Sequence, residues 1–569
     1  MTKITRRGLL GAAATGTLSV AACATPAKTV QSQTEAYDGE VEFLHGVASG
    51  DPLSDRVIIW TRVTPQSGTA PIPVTYEVTD PANPSAPAIT GSAMASESRD
   101  FCVKVDVPGL KPGTVYNYKF TVRTNAGEVS SPQGRTKTTS ESGNTPVRIG
   151  VISCSNWQFG YFNAYEALSN EDDLDVIIHL GDYLYEYGVD GYGAEVATKL
   201  GRVHDPITEM VTLTDYRMRH AQYKTDPDLQ AAHAAAPWIC TWDDHESTNN
   251  SYRTGAQNHN PEEGEGDWSD RKQAAIQAYF EWLPLREPVA GDVTSAVWRS
   301  FTFGDIATVH ALESRLTGRS PDVSWFDALA GVTDQQVMMQ RVSETLQTIN
   351  DPARTMLGTE QEAWLAGELK SSTKAGKAWQ VLANQVVMAR TTLPNFQEAL
   401  TPEQLAAQQN GFVQTMIGFS TLGLPFNLDA WDGFPAARER LYEGAAAANA
   451  KLVTLAGDTH TAWVNTLTDT NGNRRGVEFG CTSITSPGSG AYVTDIPNLG
   501  DLTIEANPDV IWHDPFNRGY TIVSLTPDTA RAEYRVVSNI LSKEFVTETA
   551  AVYESRQQGD SVTDPVRVA

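Results

Sequence analysis

Four apolar runs in this 569-residue sequence each end in a short group of side chains that can bind metal ions. The runs cover residues 147–153, 174–181, 238–242 and 451–457. The groups that follow them are, in order, Cys154, Asp182 with Tyr185, the sequence Asp-Asp-His-Glu at 243–246, and Asp458 with His460. Uniformly apolar runs that alternate with helical segments are typical of buried strands in an α/β sheet. We therefore expect an α/β domain, over residues 145–540.

The placement of these groups at strand ends predicts one shared site. Ligands of α/β sheets bind beyond the carboxyl ends of strands, so the four groups should meet at one rim. Carboxylate, imidazole, phenol and thiol donors together suit a centre of two or more metal ions with a bridging carboxylate. The three carboxylates within 243–246 repel one another unless a cation neutralises them, which weakens the alternative of a solvated loop.

Composition and motifs exclude several other classes of protein. The formal net charge is −26, and Lys and Arg are not clustered, so the sequence has no nucleic-acid-binding signature. Its 40% hydrophobic and 20% charged residues indicate packed cores rather than disorder. The sequence lacks a G-x-S-x-G elbow, a Walker A loop, an H-E-x-x-H zinc motif and a nucleotide-binding G-x-G-x-x-G in its strand-helix context.

Residues 41–140 are predicted to form a separate all-β sandwich, because short apolar alternations are broken there by Pro, Gly and Ser turns. The sequence Leu-Lys-Pro-Gly-Thr-Val-Tyr at 110–116 resembles the corner of fibronectin type III-like sandwiches, in which a Tyr hydroxyl pins a turn. Residues 25–40 have the polar composition of a linker, and residues 541–569 are expected to form a carboxyl-terminal tail.

The amino terminus predicts export. Arg6 and Arg7 precede a mildly apolar run that is too short and too weakly apolar for a comfortable membrane span, which indicates a twin-arginine (Tat) signal over 1–24. Its end is open to two interpretations: a lipoprotein box with a lipid anchor at Cys23, or cleavage without lipidation. Either outcome gives a periplasmic, secreted or outer-envelope protein. The Tat machinery moves folded chains, so a cofactor installed before export becomes an expected feature.

Further sequence blocks surround the ligand groups. They stand at 45–52, 60–62, 153–156, 160–165, 179–187, 215–219, 233–246, 384–386, 457–460 and 483–488. With these blocks, from about residue 43 to the carboxyl-terminal region, the sequence resembles the PhoD-like alkaline phosphatase family, Tat-exported relatives of the purple acid phosphatases. The resemblance implies an α/β metallophosphatase core, two packed sheets flanked by helices, behind the amino-terminal β domain.

The resemblance also implies a centre of one Fe³⁺ and Ca²⁺. The iron ligands would be Cys154, Asp182 and Tyr185, completed by Asp458 or His460. Asp182 would bridge to calcium, whose other ligands would be Asp244, Asn249 and the remaining member of the Asp458–His460 pair. Oxygen donors suit calcium and phenolate or thiolate suits iron, so this division is chemically sensible.

The implied activity is that of a secreted alkaline phosphatase acting on phosphate monoesters and some diesters. A metal-bound hydroxide would attack phosphorus in line. His245 would protonate the leaving oxygen, and Arg315, after a possible strand at 303–311, would clamp a phosphate oxygen. Glu313 stands where many relatives are expected to have Asp, which bears on the clamp.

Two alternatives stay open at this point. A phosphodiesterase or phospholipase D-type hydrolase would use the same strand-end ligands, since the openness of the rim, shaped by 188–221 and 321–354, decides between esters. The acidity and the β-sandwich also suit a secreted calcium-binding module. That module would leave the grouped Cys, Tyr and His side chains unexplained.

Overall fold

The computed structural model describes residues 36–288, 297–493 and 495–569. The predicted export signal at 1–24 and residues 25–35 of the predicted linker lie outside these residues. None of the helices described there has both the length and the apolar character needed to cross a membrane. Cys102, Cys154, Cys240 and Cys481 are free thiols, and all four are buried.

The strands follow one another along the chain in three groups. The first lies before residue 140: β1 (Val41–Glu42), β2 (Val47–Gly50), β3 (Arg56–Arg62), β4 (Thr64–Pro65), β5 (Ile72–Thr79), β6 (Ile89–Ala95), β7 (Cys102–Pro108), β8 (Val115–Thr124), β9 (Gly127–Ser130) and β10 (Gly134–Lys137). The second extends to residue 383: β11 (Val147–Ile152), β12 (Val176–His179), β13 (Trp238–Cys240), β14 (Ser251–Tyr252), β15 (Gly255–Ala256), β16 (Arg299–Phe303), β17 (Ala307–Ala311) and β18 (Trp379–Ala383). The third completes the chain: β19 (Leu452–Ala456), β20 (Ala462–Thr468), β21 (Arg474–Gly480), β22 (Val510–Asp514), β23 (Arg518–Leu525), β24 (Thr529–Val537), β25 (Thr547–Gln558), β26 (Ser561–Val562) and β27 (Val566–Arg567).

The helices of the described chain all follow β10. They are α1 (Asn163–Ser169), α2 (Ala194–Leu200), α3 (Leu213–Tyr223), α4 (Pro227–Ala235), α5 (Trp268–Trp282), α6 (Trp325–Leu329), α7 (Gln335–Ile349), α8 (Thr359–Lys374), α9 (Phe396–Ala399), α10 (Pro402–Ala407), α11 (Gly411–Ser420), α12 (Pro435–Ala447) and α13 (Leu499–Ala506).

Two mixed sheets form the centre of the molecule. Sheet 1 has the order β26-β25-β24-β23-β11-β12-β13-β2-β3-β7, with β27 beside β25. Sheet 2 has the order β16-β17-β18-β19-β21-β20-β22. The strands from β11 to β2 are parallel neighbours in sheet 1, and β17, β18, β19 and β21 are parallel neighbours in sheet 2.

The two sheets pack face to face because their central strands are apolar on both sides. One continuous core joins Val151 and Ile178 of sheet 1 to Val381 and Val453 of sheet 2. Helices α1, α4 and α5 cover the outer face of sheet 1, and α8 and α12 cover that of sheet 2. The α/β texture expected from the apolar runs is present.

The amino-terminal region is all-β, as predicted, but its layers are not independent of the core. The sheet β10-β8-β5-β6, with β9 beside β8, packs on β2, β3 and β7 through one apolar cluster. Those three strands belong to sheet 1, where Gly50 of β2 pairs with Trp238 of β13. The predicted boundary near residue 140 therefore separates sequence segments that share a sheet. Tyr116 Oη accepts a hydrogen bond from Lys111 N at 2.8 Å, which pins the turn that the corner motif predicts.

Two expectations from the sequence were wrong in detail. Residues 541–569 are not a tail, because β25 pairs antiparallel with β24, and β26 and β27 add to β25. The sequence signal for β25 was weak, since this strand is largely polar and only its middle is buried. The single strand expected at 303–311 is instead the antiparallel pair β16 and β17.

Candidate metal centre

The four predicted ligand groups do meet, at an edge that both sheets share. Cys154, Asp182 and the 243–246 group follow β11, β12 and β13 of sheet 1, whereas Asp458 follows β19 of sheet 2. The one rim at which we expected them to meet lies between the two sheets. We call this set the ligand cluster; its members are Cys154, Asp182, Tyr185, Asp243, Asp244, His245, Asp458 and His460.

Donor atoms in the ligand cluster form three overlapping groups in which all atoms lie within 4.8 Å of one another. The groups are Cys154 with Asp182 and His460, Asp182 with Asp244 and His245, and Asp243 with Asp244 and Asp458. Because Asp182 and Asp244 each belong to two groups, the donors form one continuous set.

The backbone at these strand ends has an unusual conformation. Cys154, Asp182, Asp458 and His460 have φ values of 61°, 56°, 66° and 61°. Residues other than glycine rarely adopt this left-handed backbone conformation, because it costs on the order of 1–3 kcal/mol per residue. Residues strained in this way are concentrated at functional sites. The tight turns allow donors from short loops to face one another.

Gly181 allows two of these turns to approach closely. Its φ is 109°, and a Cβ atom there would lie 2.4 Å from Cβ and N of Asp243. Any side chain would push the end of β12 away from the end of β13. The glycine therefore sets the spacing between Asp182 and the acidic run.

Tyr185 links the two halves of the first donor group. Its hydroxyl donates to Asp182 Oδ2 at 3.0 Å, lies 3.2 Å from His460 Nε2, and accepts a hydrogen bond from Ser486 Oγ at 2.7 Å. His460 Nδ1 lies 3.0 Å from the carbonyl oxygen of Pro487, so its Nε2 faces the phenol and the carboxylate. Burial lowers the pKa of His460 to about 3, which favours the neutral ring that metals bind.

The acidic half of the cluster is buried and electrostatically crowded. Burial raises the pKa of Asp182 and Asp458 well above the usual range, and that of Asp243 to about 6. Burial acts in the same direction on Asp244, but Arg315 and His245 outweigh it and lower the pKa of that carboxyl. The protein thus supplies less positive charge than the clustered carboxylates need.

The donor chemistry fits metal ions. Asp182 Oδ1 and Asp243 Oδ2 are buried and have no hydrogen-bond partner among the residues that the structure describes. An unpartnered buried carboxylate oxygen is costly unless a cation is bound to it. Carboxylates on one side suit a hard ion such as calcium, and thiol, phenol and imidazole on the other suit a transition metal.

His245 is held by a carboxylate behind it. Its Nδ1 lies 2.7 Å from Glu186 Oε2, and its ring centre lies 4.2 Å from that of Tyr185. Burial acts to lower the pKa of His245, but Glu186, Asp244 and Asp182 raise it well above the usual value. A protonated imidazole with Nδ1 occupied keeps Nε2 as a proton donor.

Asn249, a predicted calcium ligand, has its amide nitrogen and its backbone nitrogen bonded to neighbouring residues. Its amide nitrogen donates to Gln257 Oε1 at 2.7 Å, and its backbone N donates to Glu186 Oε1 at 2.8 Å. The next residue, Asn250, donates its backbone N to Asp244 Oδ2 at 2.6 Å and lines the cavity beside Asp458.

Arg315 lies among the carboxylates and is fully buried. Its Nε donates to Asp243 Oδ1 at 2.5 Å and its Nη1 to Asp429 Oδ1 at 2.7 Å. Its Nη2 lies 3.8 Å from Asp244 and 3.7 Å from Asp458, and makes no hydrogen bond within the described chain. Only Nη2 is therefore placed to meet a phosphate oxygen.

Glu313 shapes the loop that carries Arg315. Its Oε1 accepts hydrogen bonds from the backbone N of Arg315 at 2.7 Å and from Trp242 Nε1 at 2.8 Å, and Oε2 accepts one from Thr317 N at 2.8 Å. Glu313, which stands where Asp is expected in many relatives, thus uses both of its carboxylate oxygens to fix this loop.

Three carboxylates support the cluster in roles that the sequence did not indicate. Glu246 accepts hydrogen bonds from the backbone N of Asp182 at 3.1 Å and of Asp243 at 2.8 Å, and so joins two strand-end turns. Glu186 holds His245, and Asp429 pairs with Arg315. Glu186 and Glu246 stand inside motif blocks and could have been found there, whereas Asp429 follows no apolar run.

Known proteins are similar to this chain along most of its length. A family model described as PhoD-like phosphatase matches residues 149–534, and one described as PhoD-like phosphatase, N-terminal domain, matches residues 28–140. Alkaline phosphatase D of Bacillus subtilis (strain 168) is 36% identical over 530 residues, which are 90% of this chain and 80% of that protein. A solved structure of PhoD superposes with a TM-score of 0.73 at 32% identity, covering 94% of this chain and 93% of the other.

Proposed function

The chain belongs to the PhoD-like phosphatase family, and from that premise we propose that the ligand cluster is the active site of a secreted, metal-dependent alkaline phosphatase. As a member of this family the chain is a phosphoric ester hydrolase. The proposed substrates are phosphate monoesters, with turnover of some diesters. The observation that carries this proposal is the continuous set of buried donors from four strand ends.

We divide the donors between two ions. Cys154, Asp182, Tyr185 and His460 would hold Fe³⁺, since thiol, phenol and imidazole favour that ion. Asp244 and Asp458, with Asp243, would hold Ca²⁺, and Asp182 would bridge the two. Asn249 would add its side-chain oxygen to the calcium set, because its hydrogen bond to Gln257 uses only the amide nitrogen.

The bound ions would supply a Lewis acid that neutralises phosphate oxygens and lowers the pKa of water. The remaining roles belong to the chain's own residues. Arg315 Nη2 would donate to a non-bridging phosphate oxygen, and His245 would give a proton to the leaving oxygen. Glu186 would keep the imidazole oriented throughout.

One experiment tests these assignments together. The purified protein is analysed for metal content and visible absorption, then assayed at alkaline pH with added calcium on 4-nitrophenyl phosphate and bis(4-nitrophenyl) phosphate. We expect bound iron and calcium, a phenolate-to-iron absorption band, and faster monoester turnover. A colourless, iron-free protein that still hydrolyses the monoester would overturn the iron set, and faster diester turnover would favour the phosphodiesterase or phospholipase D-type alternative. Calcium binding without any hydrolysis would favour the alternative of a secreted calcium-binding module.

We also propose that the Tat machinery exports the chain, with either a lipid anchor at Cys23 or a released mature form. The support is the Arg6–Arg7 pair in the sequence. Replacing both arginines by lysine should retain the protein in the cytoplasm, as fractionation would show. Cys23→Ala should move it from the membrane fraction to the soluble fraction only if the cysteine is lipidated.

A further inference from the structure

A cavity of about 430 Å³ opens directly from the ligand cluster. Asp458, His460 and Asp429 line its inner end. Most of the rest of its wall is formed by residues that follow β18 and residues that follow β21, among them Phe396, Val413 and Ile417. We call it the apolar cavity. Its position means that a phosphate held at the cluster would direct one substituent into this space.

The wall of the apolar cavity comes from a small hydrophobic core of its own. Phe396 of α9, Val413 and Ile417 of α11, and Ile496 and Leu499 near α13 are buried together. This cluster is separate from the core between the two sheets and from the core on the outer face of sheet 2. Side chains of this kind stabilise an apolar ligand by removing its surface from water.

Three hydroxyl groups in the wall already have partners within the protein. Thr391 Oγ1 donates to Asp432 Oδ2 at 3.3 Å, and Thr392 Oγ1 donates to Asn507 Oδ1 at 3.2 Å. Thr459 Oγ1 accepts a hydrogen bond from Trp463 Nε1 at 2.9 Å. A polyol or sugar would therefore find few free groups to bind, and would lose its hydrogen bonds to water.

Charge excludes another class of substituent. Within the described chain, no Lys or Arg lines the apolar cavity, whereas Asp429 and Asp458 line its inner end. His513 also lines it, and burial lowers the pKa of that imidazole to about 4, so it is neutral at alkaline pH. A second phosphate or a carboxylate on the substrate would lack a counter-charge here.

We propose that the apolar cavity binds the hydrocarbon substituent of the substrate, an alkyl or aryl group esterified to the phosphate. This assignment rests on the proposed phosphatase function and names the class of ester that the site selects. The uncharged substituent would enter between α11 and the turn after β21, and the phosphate would stay at the ligand cluster. Selection then comes from burial of apolar surface rather than from hydrogen bonds.

The test is a series of ethyl, butyl and octyl phosphate, compared with glycerol 1-phosphate, on the metal-loaded enzyme. Each buried CH₂ contributes about 0.8 kcal/mol, so kcat/KM should rise by up to about fourfold per CH₂ until the cavity is filled. Alkylphosphonates of the same lengths should show the same order as competitive inhibitors. A flat series, or glycerol 1-phosphate turned over better than butyl phosphate, would overturn the inference.

A substitution separates filling of the cavity from a general effect of chain length. Met416→Trp adds an indole to the wall of the apolar cavity and should abolish the gain in kcat/KM between butyl and octyl phosphate. Met339→Trp is the matched control, since Met339 is 56% exposed on α7 and should change nothing. An octyl gain that survives Met416→Trp would contradict the assignment. An enzyme that hydrolyses none of these esters would refute the proposed phosphatase function itself.

Discussion

The ligand cluster and the apolar cavity lie side by side, yet the chain builds them in opposite ways. Donors of the cluster stand within a few residues of a strand end, in tight turns fixed by the two sheets. Most of the cavity wall comes from long excursions, residues 384–451 after β18 and 481–509 after β21, which carry short helices and their own small core. The comparison assigns the proposed chemistry to the sheets and the proposed choice of substrate to the excursions.

The largest expected effect comes from removing a shared donor. Asp182→Asn should lower monoester kcat/KM by on the order of a thousandfold or more and reduce bound metal, because this carboxylate belongs to two donor groups. Metal analysis and steady-state kinetics give the result. Asp172→Asn, at an exposed position, is the control. A variant with full metal content and less than a tenfold loss of kcat/KM would contradict the role of Asp182 as a shared donor.

The spacing of the turns should matter nearly as much as the donors. Gly181→Ala places a Cβ against Asp243 and forces the ends of β12 and β13 apart, so we expect kcat to fall by about a hundredfold, since displacements near 1 Å have such effects. Gly143→Ala is the matched control, since its φ of 98° is close to that of Gly181 and nothing lies within 4 Å of the added atom. If both variants lose activity equally, the close approach is not the cause.

Loss of the carboxylate charge that orients His245 should have a smaller effect on kcat. Glu186→Gln keeps the hydrogen-bonding shape but removes the charge that faces Nδ1, so kcat should fall by roughly 10–100-fold with the metal content unchanged. Glu195→Gln, exposed in α2, should behave like the parent. Loss of metal in Glu186→Gln would mean that this carboxylate supports the ions rather than the imidazole.

The smallest effect on activity should come from a buried charge outside the cluster. Burial lowers the pKa of Lys224 from 10.5 to about 7, and its Nζ lies 4.5 Å from the centre of the Trp60 ring. Between pH 7 and 10.5 the unfolded chain binds one more proton than the folded chain at this site, so stability from this group rises with pH across that window. Lys224→Met should therefore raise the unfolding free energy by on the order of a few kcal/mol near pH 7, and by little above pH 10.

Thermal or denaturant unfolding of the parent and Lys224→Met at pH 7 and pH 10 gives the comparison. Lys119→Met, at a partly exposed ion pair on the amino-terminal sheet, is the control and should change stability by less than about 1 kcal/mol. A variant that is destabilised equally at both pH values would show that packing of the lysine stem outweighs the cost of burying its charge.

Sequence reasoning could find the ligand cluster because each donor directly follows an apolar run, and that pattern is local. It correctly placed Cys154 and Asp458 at strand ends, although they are about 300 positions apart in the chain. It could not find that these ends belong to different sheets, since strand order depends on long-range pairing such as β11 with β23.

Other parts had no local signal. Asp429 and the cavity wall lie in excursions whose packing decides which residues meet, and Asn249 and Asn250 are adjacent, so only the turn geometry shows which one lines the cavity. The all-β amino-terminal region was recognisable from its turns, but its shared sheet was not. β25 escaped notice because its alternation is largely polar.

The order of strands in sheet 1 has a consequence for biosynthesis. The strand that leads to Cys154, β11, lies between β12 and β23, so its neighbour on one side is made about 370 residues later than itself. A ribosome must therefore release nearly the entire polypeptide before the edge that carries the donors is complete. We therefore expect sheet 1 to be completed only after synthesis, so that loading of the ligand cluster with metal would follow translation.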